Sequence, residues 1–231
     1  MPTESLFPIR ERIAAACLRA GRAPDEVTLI GASKTVPAAR LLEFRAAGLL
    51  DFGENYVQEA LDKTLAFREA GAAVHWHFIG ALQSNKAKVA VREFELVHSV
   101  DRLSLARELN REAERAGKTQ AVLLQINLGA ESTKAGTLPA EAPALLEACL
   151  ALDHLEVRGL MSLPPFEPDA ETMRPYHRQL RELRERLRSR FSLTSGTFNA
   201  LSMGMSHDFE IAIEEGATLV RIGTALFGSR V

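Results

Sequence analysis

Cysteine is scarce in this chain. Cys17 in AAACLRA and Cys149 in LLEACLAL both sit in apolar, helix-patterned surroundings, and two such residues read as small core side chains rather than a disulfide framework. A reducing cytoplasm is the expected home. Charge of one sign is also lacking: 28 Lys and Arg against 30 Asp and Glu leave a net charge of −2, with no general pull toward nucleic acid or an anionic membrane. No window approaches the apolar length of a membrane span, and MPTESLFPIRER has neither the charged start nor the apolar core of a signal peptide. There is no Gly-x-Gly-x-x-Gly turn after the first strand and no linker rich in Pro, Gly and Ser, which disfavours a dinucleotide fold and a second domain. What remains is small-molecule chemistry on one domain, residues 1–231.

Against these absences stands a regular alternation. The first segment, LFPIRERIAAACLRAG, places Leu6, Ile9, Ile13 and Cys17 on one helical stripe that Gly21 ends. Strands are then predicted at 27–33, 49–53, 74–80, 96–100, 121–127, 155–162, 198–204 and 219–223, with amphipathic segments between them and Asp101 as a helix cap. A strand followed by a helix eight times suits an α/β fold of the (β/α)8 kind, the TIM barrel, here with an extra N-terminal helix. A doubly wound open sheet is the rival. In a barrel the chemistry gathers where the strands end at their C-terminal side.

Those strand ends carry Ser33-Lys34-Thr35, Gly53-Glu54-Asn55, His77 to Gly80, His98-Ser99, Asn127, Met161-Ser162, Ser202 to Ser206 and Arg221 to Thr224. Lys34 follows VTLIGAS directly and is pinned by Pro37, expected in the first turn of the next helix. An amine partly withdrawn from water is more often the free base that condenses with a carbonyl. A solvated lysine after a strand is the plain alternative. SMGMS (202–206) and RIGTALFG (221–228) place glycines and hydroxyls after strands seven and eight, where barrels hold phosphate; the same glycines also suit tight turns.

Other signals carry less. His75 and His77 alternate on one strand face and could be grouped with Glu54 as metal ligands, but no third nitrogen or sulfur ligand stands at a diagnostic spacing, so no metal is expected. RQLRELRERLRSR (178–190) has an apolar stripe of Leu180, Leu183 and Leu187 that makes it an outer barrel helix. GAESTKAGT (129–137) reads as a loop on the catalytic face, either a cover that brings Lys134 near a ligand or a plain connection.

Taken together, ASKT, DFGENYVQEALDK, WHFIGALQSNKAK, HSVDR, GLMSL, LSMGMSHDFEIAI and VRIGTALFG resemble the pyridoxal phosphate homeostasis proteins, single-domain barrel relatives of alanine racemase. The resemblance covers residues 27 to 228 or so. It implies that Lys34 holds pyridoxal 5′-phosphate as a Schiff base, that Ser202 and Gly223-Thr224 cradle the phosphate, that Arg221 faces the pyridine nitrogen, and that Asn55 and His77 contact the ring. The departures are a less polar stretch at 36–49 and GAEST in a variable loop; neither touches the cofactor set.

A cation beside the pyridine nitrogen disfavours protonating the ring and makes it a poorer electron sink. The resemblance to alanine racemase includes that arginine but not its tyrosine base, since the tyrosines here are Tyr56 and Tyr176, and the chain stops at Val231 where the racemase's further β-domain would follow. The expectation is a cytoplasmic carrier that buffers pyridoxal phosphate or delivers it to apo-enzymes, without substantial catalysis, as a monomer or weak dimer. A weak amino-acid racemase is the competing reading, and a cofactor-free Schiff-base aldolase the third.

Overall fold

The computed structural model describes residues 2–129, 135–165 and 167–228. Strands β1 (Thr28–Ala32), β2 (Asp51–Glu54), β3 (His75–Phe78), β4 (Leu96–Val100), β5 (Gln120–Ile126), β6 (Leu155–Ser162), β7 (Ala200–Ser202) and β8 (Leu219–Ile222) pair in parallel and in chain order. β8 returns to β1, with Ile30 opposite Arg221, and closes the barrel. β4 and β5 are buried along their whole length, because a parallel strand between barrel interior and helix layer meets water on neither side. The expected strands are all present. The seventh is shorter than predicted: it ends at Ser202, and residues 203 onward form a loop.

Around the barrel lie α1 (Pro2–Arg19), α2 (Ala38–Ala46), α3 (Val57–Glu69), α4 (Ala87–Glu93), α5 (Leu103–Arg115), α6 (Ala142–Leu150), α7 (Arg174–Arg190), α8 (Phe209–Glu214) and α9 (Thr224–Phe227). The predicted stripe of α1 is buried together with Ala16, and α1 packs on α8 and α9. Arg12 and Arg19 reach Glu210 and Glu214 of α8, and Ser5 Oγ donates to the Leu226 carbonyl of α9 at 2.7 Å. One cap differs from expectation: Arg102, not Asp101, is the residue preceding α5, and the Asp101 carboxylate instead accepts from Arg102 Nη1.

Two apolar regions result. The larger lies between strands and helices; there Phe52, Phe67 and Trp76 meet with ring centroids 5.2 to 5.6 Å apart, each pair worth about 0.5–1.5 kcal/mol beyond its buried area, and seat α3 on β2 and β3. The smaller fills the barrel with Ile30, Leu96, Ala121, Leu123, Met161 and Leu219. Among the described residues no helix is long and apolar enough to cross a membrane.

Candidate functional site

A cavity of about 760 Å³ opens at the C-terminal ends of the strands. Lys34, Asn55, Arg221, Gly223 and Thr224 all border it, and Ile79, Leu163 and Met205 give it an apolar wall.

Lys34 is half-buried in a turn fixed on both sides. Ser33 before it is fully buried, and its hydroxyl donates to Glu54 Oε1 at 2.5 Å. Thr35 after it has φ of 65°, a left-handed conformation that costs a β-branched residue about 1–3 kcal/mol. Its N–H donates to Glu59 Oε2 at 2.9 Å, and Val36 N–H closes the turn on the Ser33 carbonyl. Pro37 then precedes α2 as its cap, one position earlier than the sequence suggested. Lys63, from α3, donates to the Ser33 carbonyl and to Glu54, both at 2.7 Å.

Arg221 points from β8 into the barrel and is buried. Its Nη1 donates to Ser202 Oγ and its Nη2 to the Ser162 carbonyl at 2.8 Å. Burial pushes its pKa down to about 10, with the Asp208 carboxylate acting in the other direction, so the guanidinium stays cationic at neutral pH.

The loop after β7 is built by similar means. At Gly204, with φ of 90°, a Cβ would lie 2.5 Å from the Ala212 Cβ, so no other residue fits without movement. Asp208 Oδ1 accepts from Met205 N–H at 2.7 Å and its Oδ2 pairs with the buried His177 Nε2 at 2.8 Å. Burial alone would raise the Asp208 pKa; the His177 and Met205 hydrogen bonds outweigh it and hold the carboxyl below its ordinary value. This places Ser206 at the cavity, where its Oγ accepts from Ala225 N–H at 3.2 Å and ties the loop after β7 to α9.

A family model described as alanine racemase, N-terminal domain, matches residues 13–231. The pyridoxal phosphate homeostasis protein of Aquifex aeolicus is 48% identical over 98% of this chain and 97% of its own, and that of Escherichia coli K12 is 42% identical over 98% and 95%. The solved structure of PipY from Synechococcus elongatus, with PLP bound, superposes with a TM-score of 0.83 at 40% identity, covering 95% of this chain and all of the other. The chain belongs to the pyridoxal phosphate homeostasis protein family.

Seven residues were expected from sequence to hold the cofactor of such a family member, and the structure places five of them, Lys34, Asn55, Arg221, Gly223 and Thr224, on one cavity. Ser202 and His77 lie elsewhere. Ser202, fully buried at the end of β7, points into the barrel between Arg221 and His98. His77 is in β3 below the mouth, with Nδ1 toward His98 and Nε2 toward Asp51, and it borders a separate cavity of about 550 Å³ at the N-terminal end of the barrel. Alternation along a strand fixes which face a side chain takes, but not its height within a tilted barrel.

Of the two serines in SMGMS, the one bordering the cavity is Ser206. Sequence reading singled out Ser202, and the signal it passed over was Gly204, which turns the chain so that the second serine reaches the mouth. Glu54 is committed to Ser33 and Lys63, apart from His75 and His77, and no group of three metal-ligating side chains occurs among the described residues. Tyr56 is 60% exposed at the start of α3, and Tyr176 lies on α7; neither borders the cavity. Lys134 lies outside the described residues.

Proposed function

We propose that this chain binds pyridoxal 5′-phosphate in the Lys34 cavity and acts in cofactor homeostasis inside the cell, buffering the free aldehyde and handing it to apo-enzymes. The observation that carries this reading is the shared cavity of an amine at Lys34, hydroxyls at Ser206 and Thr224, and a guanidinium at Arg221.

The donor set fits such a ligand. Its volume lies in the range of small-molecule sites, and its apolar wall of Ile79, Leu163 and Met205 suits a flat ring. Bound pyridoxal phosphate supplies an aldehyde that condenses with amines and a ring that withdraws electrons. Lys34 provides the amine for that condensation, with loss of water. Ser206 and Thr224 would hold the phosphate. Arg221 can only donate hydrogen bonds, so it serves a ring nitrogen that carries no proton and leaves the ring a weak electron sink.

The surroundings of the cavity favour a carrier over a racemase. Two-base racemisation of the alanine racemase kind needs a tyrosine acid/base on the face opposite Lys34; among the described residues neither tyrosine borders the cavity, and the imidazole that does is His207. Release would then proceed by water or an incoming amine adding to the aldehyde-derived carbon and displacing the Lys34 amine, which leaves free.

The test is the visible spectrum and intact mass of the purified protein before and after borohydride reduction, on wild type and Lys34→Ala. Wild type is expected to be yellow, to bleach on reduction and to gain one pyridoxyl phosphate at Lys34. A wild type that takes up no added pyridoxal phosphate overturns the reading. Turnover of L- or D-alanine with retained cofactor would replace the carrier by the racemase.

A further inference from the structure

The barrel interior contains a continuous polar chain beside its apolar filling. From Arg221 Nη1 it passes to Ser202 Oγ, then to His98 Nδ1 at 2.8 Å, from His98 Nε2 to His77 Nδ1 at 3.1 Å, and from His77 Nε2 to Asp51 Oδ1 at 3.1 Å. Ser202, His98 and His77 are all buried. Asp51 opens the second strand, so it lies at the barrel end opposite Lys34 and borders the N-terminal cavity.

The ends of this chain, together with the need of the Ser202 proton for an acceptor, which His98 Nδ1 offers, set one consistent direction for its links. A guanidinium only donates and a carboxylate only accepts. With one proton per link, Arg221 donates to Ser202, the Ser202 hydroxyl donates to His98 Nδ1, His98 Nε2–H donates to His77 Nδ1, and His77 Nε2–H donates to Asp51. In that arrangement each imidazole carries its one proton on Nε2. Burial, with the Arg221 charge acting in the same direction, holds the His98 pKa well below its ordinary value, which agrees with a neutral His98.

We propose that Asp51 is a positioning residue for the cofactor site, acting through His77, His98 and Ser202 to fix how Arg221 is presented to the Lys34 cavity. The proposal rests on the pyridoxal phosphate reading for what Arg221 faces, but not for the chain itself. Without the Asp51 acceptor, His77 no longer prefers Nε2–H. Once its proton moves to Nδ1 it opposes His98 Nε2–H, and relief requires His98 to carry its proton on Nδ1. That removes the acceptor of the Ser202 hydroxyl, and the serine oxygen then receives two donors while its own proton has no partner. Arg221 loses a fixed anchor although nothing in the cavity itself has changed. Low dielectric makes each such mismatch costly, so the state of one end is felt at the other.

The test has two readouts. In cofactor-free protein labelled with nitrogen-15, imidazole correlations of the wild type should show His77 and His98 as neutral Nε2–H tautomers. Asp51→Leu should shift His98 toward Nδ1–H, and Asp51→Asn, which keeps an acceptor oxygen, should restore the wild-type pattern. In loaded protein, Asp51→Leu should move the visible band of the Lys34-bound cofactor and speed its release about tenfold, the scale of one buried hydrogen bond, with Asp51→Asn close to wild type. His77→Phe breaks a different link and serves if Asp51→Leu does not fold. A wild-type His98 protonated on Nδ1 overturns the proposal, as does an Asp51→Leu protein with unchanged tautomers, band and release. Should the wild type bind no pyridoxal phosphate, the proposed function fails while the tautomers still decide the chain.

Discussion

Lys63 Nζ lies 2.7 Å from Glu54 Oε1, with both side chains withdrawn from water, and the same ammonium holds the Ser33 carbonyl one residue before Lys34. Burial raises the Glu54 pKa, and the hydrogen bonds from Lys63 and Ser33 only partly oppose it. Lys63→Met removes the cation and strands the carboxyl, a change that costs about 3–5 kcal/mol at buried pairs. Urea unfolding at neutral pH should show that loss. Adding Glu54→Gln to Lys63→Met should recover part of it, because the amide needs no counter-charge; a double variant less stable than the single one would contradict this account.

Protonation of His98 gives stability a pH slope. Its folded pKa is depressed below the ordinary 6.5, so the unfolded chain binds the proton more readily. The contribution is complete above pH 6.5 and is lost as the pH falls from there toward the folded value, by at most about 1.4 kcal/mol per pH unit. Thermal or urea unfolding between pH 7.5 and pH 5.5 should show decreasing stability, and His98→Gln should flatten the slope even though it is less stable at pH 7.5.

Gly80 supports Asn55 by proximity. A Cβ at Gly80 would lie 2.2 Å from the Asn55 carbonyl oxygen and 2.7 Å from its Cα. Gly80→Ala must therefore push the Asn55 backbone away from its place at the cavity, at a cost of about 1–3 kcal/mol or more. The expected result is a lower denaturant midpoint together with weaker cofactor retention. A variant as stable as wild type would show that the two loops yield easily.

The two serines of SMGMS should separate in function. Ser206→Ala removes a hydroxyl that borders the cavity, and the preference for pyridoxal phosphate over pyridoxal should fall about tenfold. Ser202→Ala acts at Arg221 instead, so it should alter the cofactor spectrum and leave the phosphate preference in place. Competition binding with the two aldehydes measures both.

The barrel was legible because strand and helix alternate with unbroken regularity, and because Lys34, Arg221 and Thr224 sit where parallel strands end. What escaped depended on height and on distant partners. Ser202 and Ser206 are four residues apart in the same motif, and only the turn at Gly204 decides which of them reaches the mouth. His77 and His98 were grouped with the strand ends, yet both lie within their strands, β3 and β4, and point into the barrel below the mouth, where they join to Asp51. No local pattern reports a link between residues 51 and 221. Lys63 carries no signal for a related reason: in a helix of mixed charge nothing in the spacing marks it as buried.

The seam between β1 and β8 has a consequence for when the protein becomes competent during synthesis. Lys34 follows the first strand and Gly223 and Thr224 the last, so the ligand cavity joins segments separated by almost the whole chain. A ribosome-bound chain that lacks β8 has the amine but neither the guanidinium nor the hydroxyl of Thr224. Such distant pairing is reached late. A half-made copy therefore exposes its lysine to every aldehyde it meets, without the groups that would select one.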